Sequence, residues 1–362
     1  MPRLRDLPRA AAVPRVALAL LAGAGVAAPP AAGAASESGA AALATRAAPN
    51  GGSAALATRA APNRGSAALA AGAAPASGPC TPDPGSPPCL FSYGRVTFVA
   101  DGDTIDVRVR GSGVHRIRLT GINAMEQTRY SHYASRRRGH CHALAATSRL
   151  QQLIRAGHGR VRLAAQNPAS VAGTRLRRQA SVFIGGRWVD TGEVLVAEGH
   201  ALWLPNGIEY AWNRAYSRAS EHAAAHRLRL FDPRGCGAGP SAGVEPRLRL
   251  RWDARGNDAA NVNGEWARIV NPSGHPLRLA GWSFRDSSAR SLVFPRGAVV
   301  PPHRSVTVHV GHGTADGRRY FWGLPGPAFE NASGGARALG DGAYLFDPRG
   351  NLRAFHIYPR RI

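Results

Sequence analysis

The stretch DGDTIDVRVRGSGVHRIRLTGINAMEQ, residues 101–127, carries Asp101 and Asp103 where a β-hairpin begins, and Arg118 and Glu126 where it ends. A hairpin needs turn residues and alternating apolar positions, but not that set of charges. Asp101-Gly102 suits a tight turn, Ile105, Val107 and Val109 alternate into a strand, and Gly111 and Gly113 turn the chain back through Ile117 and Leu119. Arg118 falls on the polar phase of the return strand, and Glu126 follows on a loop. Carboxylates and a permanent cation at one end of a hairpin are the residue types that phosphodiester hydrolysis uses. That reaction needs a deprotonated water, a sink for charge on the crowded phosphorane, and in-line geometry. DGDT alone reads equally well as an ordinary turn.

The elements that must position these residues lie between 92 and 234. GRVTFVAD, DTIDVRVR, VHRIRLTGI, RVRLAAQ and RQASVFIGGRWVD are rich in β-branched residues with period-two alternation, and read as strands. SHYASRRRGHCHALAATSRLQQLIRAG, GEVLVAEGHAL and YAWNRAYSRASEHAAAHRLRLF read as helices. In the first, Leu150 and Ile154 share a row, Leu144 lies near it, and Gly157 supplies a stop. From about residue 245 the pattern changes to short strands divided by Gly, Pro and Asn, at the spacing of an antiparallel sandwich.

In order along the chain, Gly-Arg-Val through Asp-Gly-Asp-Thr, then Arg-Leu-x-Gly-Ile-x-Ala-x-Glu, then Arg177-Arg178-Gln179-Ala180-Ser181-Val182, then GRWVDTGEVLVAEGHAL resemble the staphylococcal nuclease (thermonuclease) family. The resemblance runs unbroken over about 92–234, and several weak motifs in one order outweigh any one of them. It implies a five-stranded OB-type β-barrel capped by three helices, and calcium-dependent hydrolysis of DNA or RNA that leaves 3′-phosphates. Carried over by position, Asp103 matches a carboxylate ligand of the calcium. Asn123 stands where the family usually has a second aspartate ligand, and Ala124 where a backbone carbonyl coordinates; Asp101 is a further candidate ligand through water. Glu126 matches the general base, and Arg118 and Arg177 match the two phosphate-binding arginines. Arg175, Arg178 and Trp203 are further candidates for contact with nucleic acid. The chain departs from the pattern at Asn123, Met125 and Gln179, and Thr174 and Arg175 replace a Lys-Tyr pair.

The tail segments NVNGEWARIVNPSGHPLRLAGWSFRD and FPRGAVVPPHRSVTVHVGHG resemble the lamin tail domain, an immunoglobulin-like sandwich. Asn263-Gly264-Glu265-Trp266, Asn271 and Gly281-Trp282 carry the match, with Trp266, Ile269, Leu277, Leu279 and Trp282 expected in its core. The resemblance implies a binding or targeting role, on DNA, an envelope component or another protein. No acid/base set in this half suggests catalysis.

Composition frames these modules. The 362 residues carry a formal charge of +24, all of the basic residues being arginine, and 44% apolar residues. Such a charge favours polyanionic partners. Arg3, Arg5, Arg9 and Arg15 precede the apolar run 16–28, with small residues near 32–35, which reads as a secretory signal. No later segment is long and apolar enough to span a bilayer. A thirteen-residue repeat then places Leu43, Leu56 and Leu69 in equivalent positions. One leucine per unit cannot bury a core, so the repeat reads as a spacer. The expected organisation is a signal at 1–35, a disordered linker at 36–91, a nuclease domain at 92–236 and a lamin tail-like sandwich at 245–362. Four cysteines in an exported chain suit two disulfides: Cys80 and Cys89 could close a local loop, and Cys141 is expected to pair with Cys236. His140-Cys141-His142 offers metal-ligand types without the second close pair that zinc needs. Arg136, Arg137 and Arg138 read as phosphate contacts or as a solvated helix face. Trp203, Tyr210, Trp212 and Tyr216 could stack on bases or pack the last helix.

The reading is a secreted, metal-dependent nuclease, free or retained at the cell envelope through its tail. Two rivals stay open at this point, a non-catalytic nucleic-acid-binding protein and an envelope-associated adhesion protein.

Overall fold

Covalent closure begins the described part of the chain. The computed structural model describes residues 76–127, 140–334 and 337–359, all within the unit Gly65–Ile362. Cys80 bonds Cys89 and folds β1 (Ala76–Pro79) antiparallel onto the start of β2 (Pro88–Val99). Residues 76–91, assigned to the linker from composition, are therefore strand and turn; proline is compatible with such an edge strand. The signal run, the thirteen-residue repeats and residues 136–138 lie outside the described residues.

The hairpin consists of β3 (Thr104–Val109) and β4 (Gly113–Leu119). Ile105, Val107, Ile117 and Leu119 are buried on one face. On the other, Arg116 donates to both Asp106 oxygens at 2.7 and 2.9 Å. After β5 (Ile122–Ala124) come α1 (Ala143–Ala156), β6 (Arg160–Ala165), β7 (Val171–Ala172), β8 (Arg175–Ile184), β9 (Arg187–Asp190), α2 (Thr191–Ala197), β10 (Ala201–Trp203) and α3 (Asn213–Ala225). Pairing runs β2–β3–β4–β8–β6 and returns from β6 to β2, with the β4–β8 step parallel. Side chains at i, i+3, i+4 and i+7 of α1 (Ala143, Ala146, Thr147, Leu150) are buried, and Leu153 and Ile154 extend the stripe. Leu144, expected near that row, is 56% exposed on the far side. Asp190 starts α2 by accepting from Gly192 N at 2.9 Å and Glu193 N at 3.2 Å.

The second half is almost all strand. One sheet orders β11 (Arg247–Arg251), β12 (Trp266–Val270), β17 (Ser305–His309) and β18 (Arg319–Phe321). The other orders β15 (Ser291–Val293), β14 (Ser283–Asp286), β19 (Asp341–Phe346) and β20 (Leu352–Tyr358), while β13 (Leu277–Arg278) pairs with β16 (Val299–Val300). Ile269, Leu277, Leu279 and Trp282 are fully buried between the layers. Trp266, expected beside them, is only half-buried. On β12 the alternation points Ala267 and Ile269 inward, which leaves Trp266 on the outer phase under the Arg268 guanidinium, 4.9 Å from its ring.

The two halves share apolar surface. Tyr344, Phe346, Leu352 and Ile357 of the sandwich belong to the core of the first half, and Phe231 meets Phe355 edge-on at 5.1 Å. Cys141, just ahead of α1, bonds Cys236, beyond α3, and Cys236 N donates to Asn351 Oδ1 at 2.8 Å. Among the described residues no helix is long and apolar enough to cross a membrane.

The sequence separations of the two disulfides, 9 and 95 residues, fix their relative worth. Loop-closure entropy gives roughly 3 kcal/mol for the short one and nearly 5 kcal/mol for the long one. In chemical denaturation, the Cys141→Ser/Cys236→Ser pair is expected to cost more stability than Cys80→Ser/Cys89→Ser; the reverse order would show that strain or residual structure outweighs loop length.

Candidate active site

A glycine brings the hairpin start against its neighbours. A Cβ on Gly102 would lie 2.7 Å from the Cβ atoms of both Ala124 and Ala146, so only glycine lets the 101–103 turn pack on β5 and α1. Asp101 Oδ1 accepts from Asp103 N at 3.0 Å and holds the turn. Asp103 then points inward, 5% exposed, where Oδ2 accepts from Ala124 N at 2.8 Å and Oδ1 from Thr104 Oγ1 at 3.1 Å.

Arg118 meets this carboxylate. One guanidinium nitrogen lies 2.9 Å from Asp103 Oδ2 and donates to the Ile122 carbonyl at 3.0 Å. The other donates to Asn123 Oδ1 at 3.3 Å. Parallel pairing of β4 with β8 sets Arg177 directly beside Arg118. Burial lowers the Arg177 pKa, the neighbouring Arg118 and Arg175 charges add to that, and Glu209 opposes them. Arg177 makes no side-chain hydrogen bond among the described residues, which leaves its guanidinium available to an anion. The loop beneath it is fixed by Glu209, whose carboxylate accepts from Gln166 N and Asn167 N at 2.8 and 3.0 Å.

Glu126 is exposed beyond β5, and its backbone carbonyl accepts from His140 N at 3.0 Å. The candidates gathered in contact are therefore Asp101, Asp103, Arg118, Asn123 and Ala124, with Arg177 alongside. Arg175 reaches Thr104 Oγ1 at 3.4 Å. Arg178 is committed elsewhere, donating to the Arg177 and Pro168 carbonyls at 2.7 Å each. Trp203 does not face a ligand. It is fully buried on β10 opposite Ile122, and Tyr216 and Trp212 are buried too, because these rings pack α3 on the strands.

The donor set suits calcium in kind, since Asp101, Asp103 and the Asn123 amide oxygen are all hard oxygens. Burial pushes the Asp103 carboxyl up to about 7, and the nearby Asp101 charge adds to that; Arg118 and the Ala124 N–H pull the other way without winning. Among the described residues the one close trio of His, Cys or acidic ligand atoms is Cys141, His142 and Cys236. Its two sulfurs bond each other, so neither is a thiolate ligand.

The sandwich reaches this site, which no local signal in the sequence foretells. Asn123 Nδ2 donates to the Ser287 carbonyl at 2.8 Å, across 164 residues. From β14, Arg285 is buried with one guanidinium nitrogen unpartnered, and its charge adds to the burial that lowers the His140 pKa.

Residues 253–360 match the Lamin Tail Domain family. The match covers the sandwich from just after β11 and leaves residues 92–236 outside it. No curated protein matches the chain. Within the lamin tail domain the motif residues are structural. Glu265 Oε2 accepts from Ala328 N at 2.7 Å and from Phe329 N at 3.3 Å, and Asn271 Nδ2 donates to the His275 carbonyl at 2.7 Å.

Asn123 is the only residue of this set whose amide nitrogen is required, because a carboxylate would face the Ser287 carbonyl without a proton to share. Asn123→Asp is therefore expected to lower stability by about 1–3 kcal/mol, the cost of an unpaired buried acceptor. Urea denaturation without metal measures it; an unchanged midpoint would mean that the Ser287 contact contributes nothing.

Proposed function

We propose that residues 92–236 form a nuclease domain of the staphylococcal type, exported, acting on DNA or RNA. The observation that carries the reading is the convergence of Asp103, Arg118 and Arg177 at the adjoining ends of β3, β4 and β8. That convergence agrees with the sequence resemblance. The closed ring of pairings fits the OB-type barrel which the resemblance implies.

Arg177 and Arg118 present neighbouring guanidinium groups, which keep their charge at any physiological pH and can donate in pairs to phosphoryl oxygens. Arg118 is already oriented by Asp103 and the Ile122 carbonyl. Glu126, exposed at the rim, takes the proton of the attacking water. Calcium would be held by Asp103, Asp101 and the oxygens of Asn123 and Ala124, and when bound it supplies Lewis-acid polarisation of the phosphoryl oxygen. The lamin tail domain serves binding to a protein, to nucleic acid or to the envelope.

A second reading has its own support: Asn123 is bound to Ser287 and Asp103 is ion-paired with Arg118, an arrangement that a non-catalytic nucleic-acid-binding domain could keep without metal.

Digestion of denatured DNA separates the two. With calcium, cleavage is expected that EDTA abolishes, that Glu126→Gln lowers about 10²–10⁴-fold, and that Arg177→Gln lowers with a rise in KM. Binding without cleavage in any divalent metal would leave the binding reading in place of the nuclease.

A further inference from the structure

The outer face of the first sheet carries a cluster that the candidate active site does not use and of which Phe91 alone packs partly against the core. On β2, β6, β8 and β9, register places Tyr93 opposite Arg162, Arg162 opposite Ser181, and Phe183 opposite Trp188. Period two therefore puts Phe91, Tyr93, Arg162, Phe183 and Trp188 on one side. The opposite side, with Val161, Leu163, Ala180 and Val182, fills the core. The aromatic side is open: Tyr93 is 42% exposed, Phe183 49% and Trp188 36%. Trp188 is the centre, with Phe183 edge-on at 5.3 Å and Tyr93 tilted at 6.1 Å. Arg162 lies over the Phe91 ring at 4.9 Å and over Trp188 at 4.8 Å, and its buried Nε has no hydrogen-bond partner. Arg95 and Arg160, paired and exposed, form the next row.

Three exposed rings joined through Trp188 contribute little to the core and expose apolar surface to water, which marks a binding face. Arginines interleaved with the rings select the partner: anionic, with flat apolar groups between its charges. Nucleic acid answers both demands, but in a duplex the base faces are stacked on one another, so only unpaired bases can lie on the rings. Arg177 and Phe183 fall on the same face of β8, six residues apart, hence about 20 Å along the strand, with Gln179 and Ser181 buried between them. We propose that Phe91, Tyr93, Arg162, Phe183 and Trp188 form a stacking platform for single-stranded nucleic acid, a few nucleotides from the candidate cleavage site. The proposal rests on the nucleic-acid reading above and assigns the substrate an unpaired strand.

The test measures binding apart from cleavage. In the full chain carrying Glu126→Gln, with EDTA, fluorescence anisotropy of an oligothymidine of about 12 nucleotides gives the single-strand affinity, and a duplex of equal length serves as the control. Tyr93→Ala/Trp188→Ala is expected to weaken single-strand binding roughly fivefold to hundredfold for each base that loses its ring. Duplex binding and the salt dependence should hardly change, since no phosphate contact is lost. Tyr93→Phe/Trp188→Phe, which keeps the rings, is expected to bind like the parent. Unchanged single-strand affinity in a folded alanine pair overturns the platform, as does equal weakening on the duplex. Loss of calcium-dependent cleavage by the unsubstituted chain, with oligothymidine binding intact and ring-dependent, refutes the nuclease and leaves the platform standing.

Discussion

A carboxylate taken out of water must be compensated where it lies, and the candidate site is organised around that constraint at Asp103. Its oxygens accept from Ala124 N on β5 and Thr104 Oγ1 on β3, and they pair with Arg118 from β4. Each partner comes from a different strand, so the charge holds three strand ends in one place. Removing one partner of such a pair costs about 3–5 kcal/mol because the other charge is left buried. The same compensation explains Gly102 and Asp101. One permits the close approach, and the other fixes the turn that aims Asp103 inward. Arg118 is positioned by the same contact, and strand pairing alone then sets Arg177 beside it.

The lamin tail domain takes part in this arrangement. Its β14 edge supplies the carbonyl that receives the Asn123 amide, and its β19 and β20 side chains complete the first core. An asparagine at 123 thus answers to two neighbours at once: its oxygen to Arg118, its nitrogen to Ser287. Aspartate could satisfy only the first. An asparagine at this position therefore has a local physical reason in the domain contact.

Period-two alternation made the strands of both halves legible, and the heptad-like stripe of α1 was legible in the same way. The ends were less so. Residues 76–91 resemble spacer in composition, yet a nine-residue disulfide loop orders them. Trp203 and Trp266 show the limit of reading aromatics by type. Both occupy strands, and only the phase of each strand, which depends on what it packs against, decides that Trp203 is buried and Trp266 is not. In the site, Asp103, Arg118 and Arg177 were visible as motif positions, whereas Ser287, Arg285 and Glu209 were not. Their roles depend on contacts across 164 residues for Ser287 and 42 and 43 for Glu209, and no local pattern encodes those. The aromatic face escaped for a similar reason: Tyr93, Arg162 and Trp188 lie on three strands and become neighbours only through register.

The Asn123–Ser287 contact also bears on how such a chain could have been assembled. A tail joined by a free linker can be exchanged for another without consequence for its neighbour, and accessory domains spread among lineages in that way. Here the seam runs through a residue of the candidate site, so exchanging either half would change what Asn123 touches. A transplanted tail would have to bring its own carbonyl to the same place, or position 123 would have to change along with it.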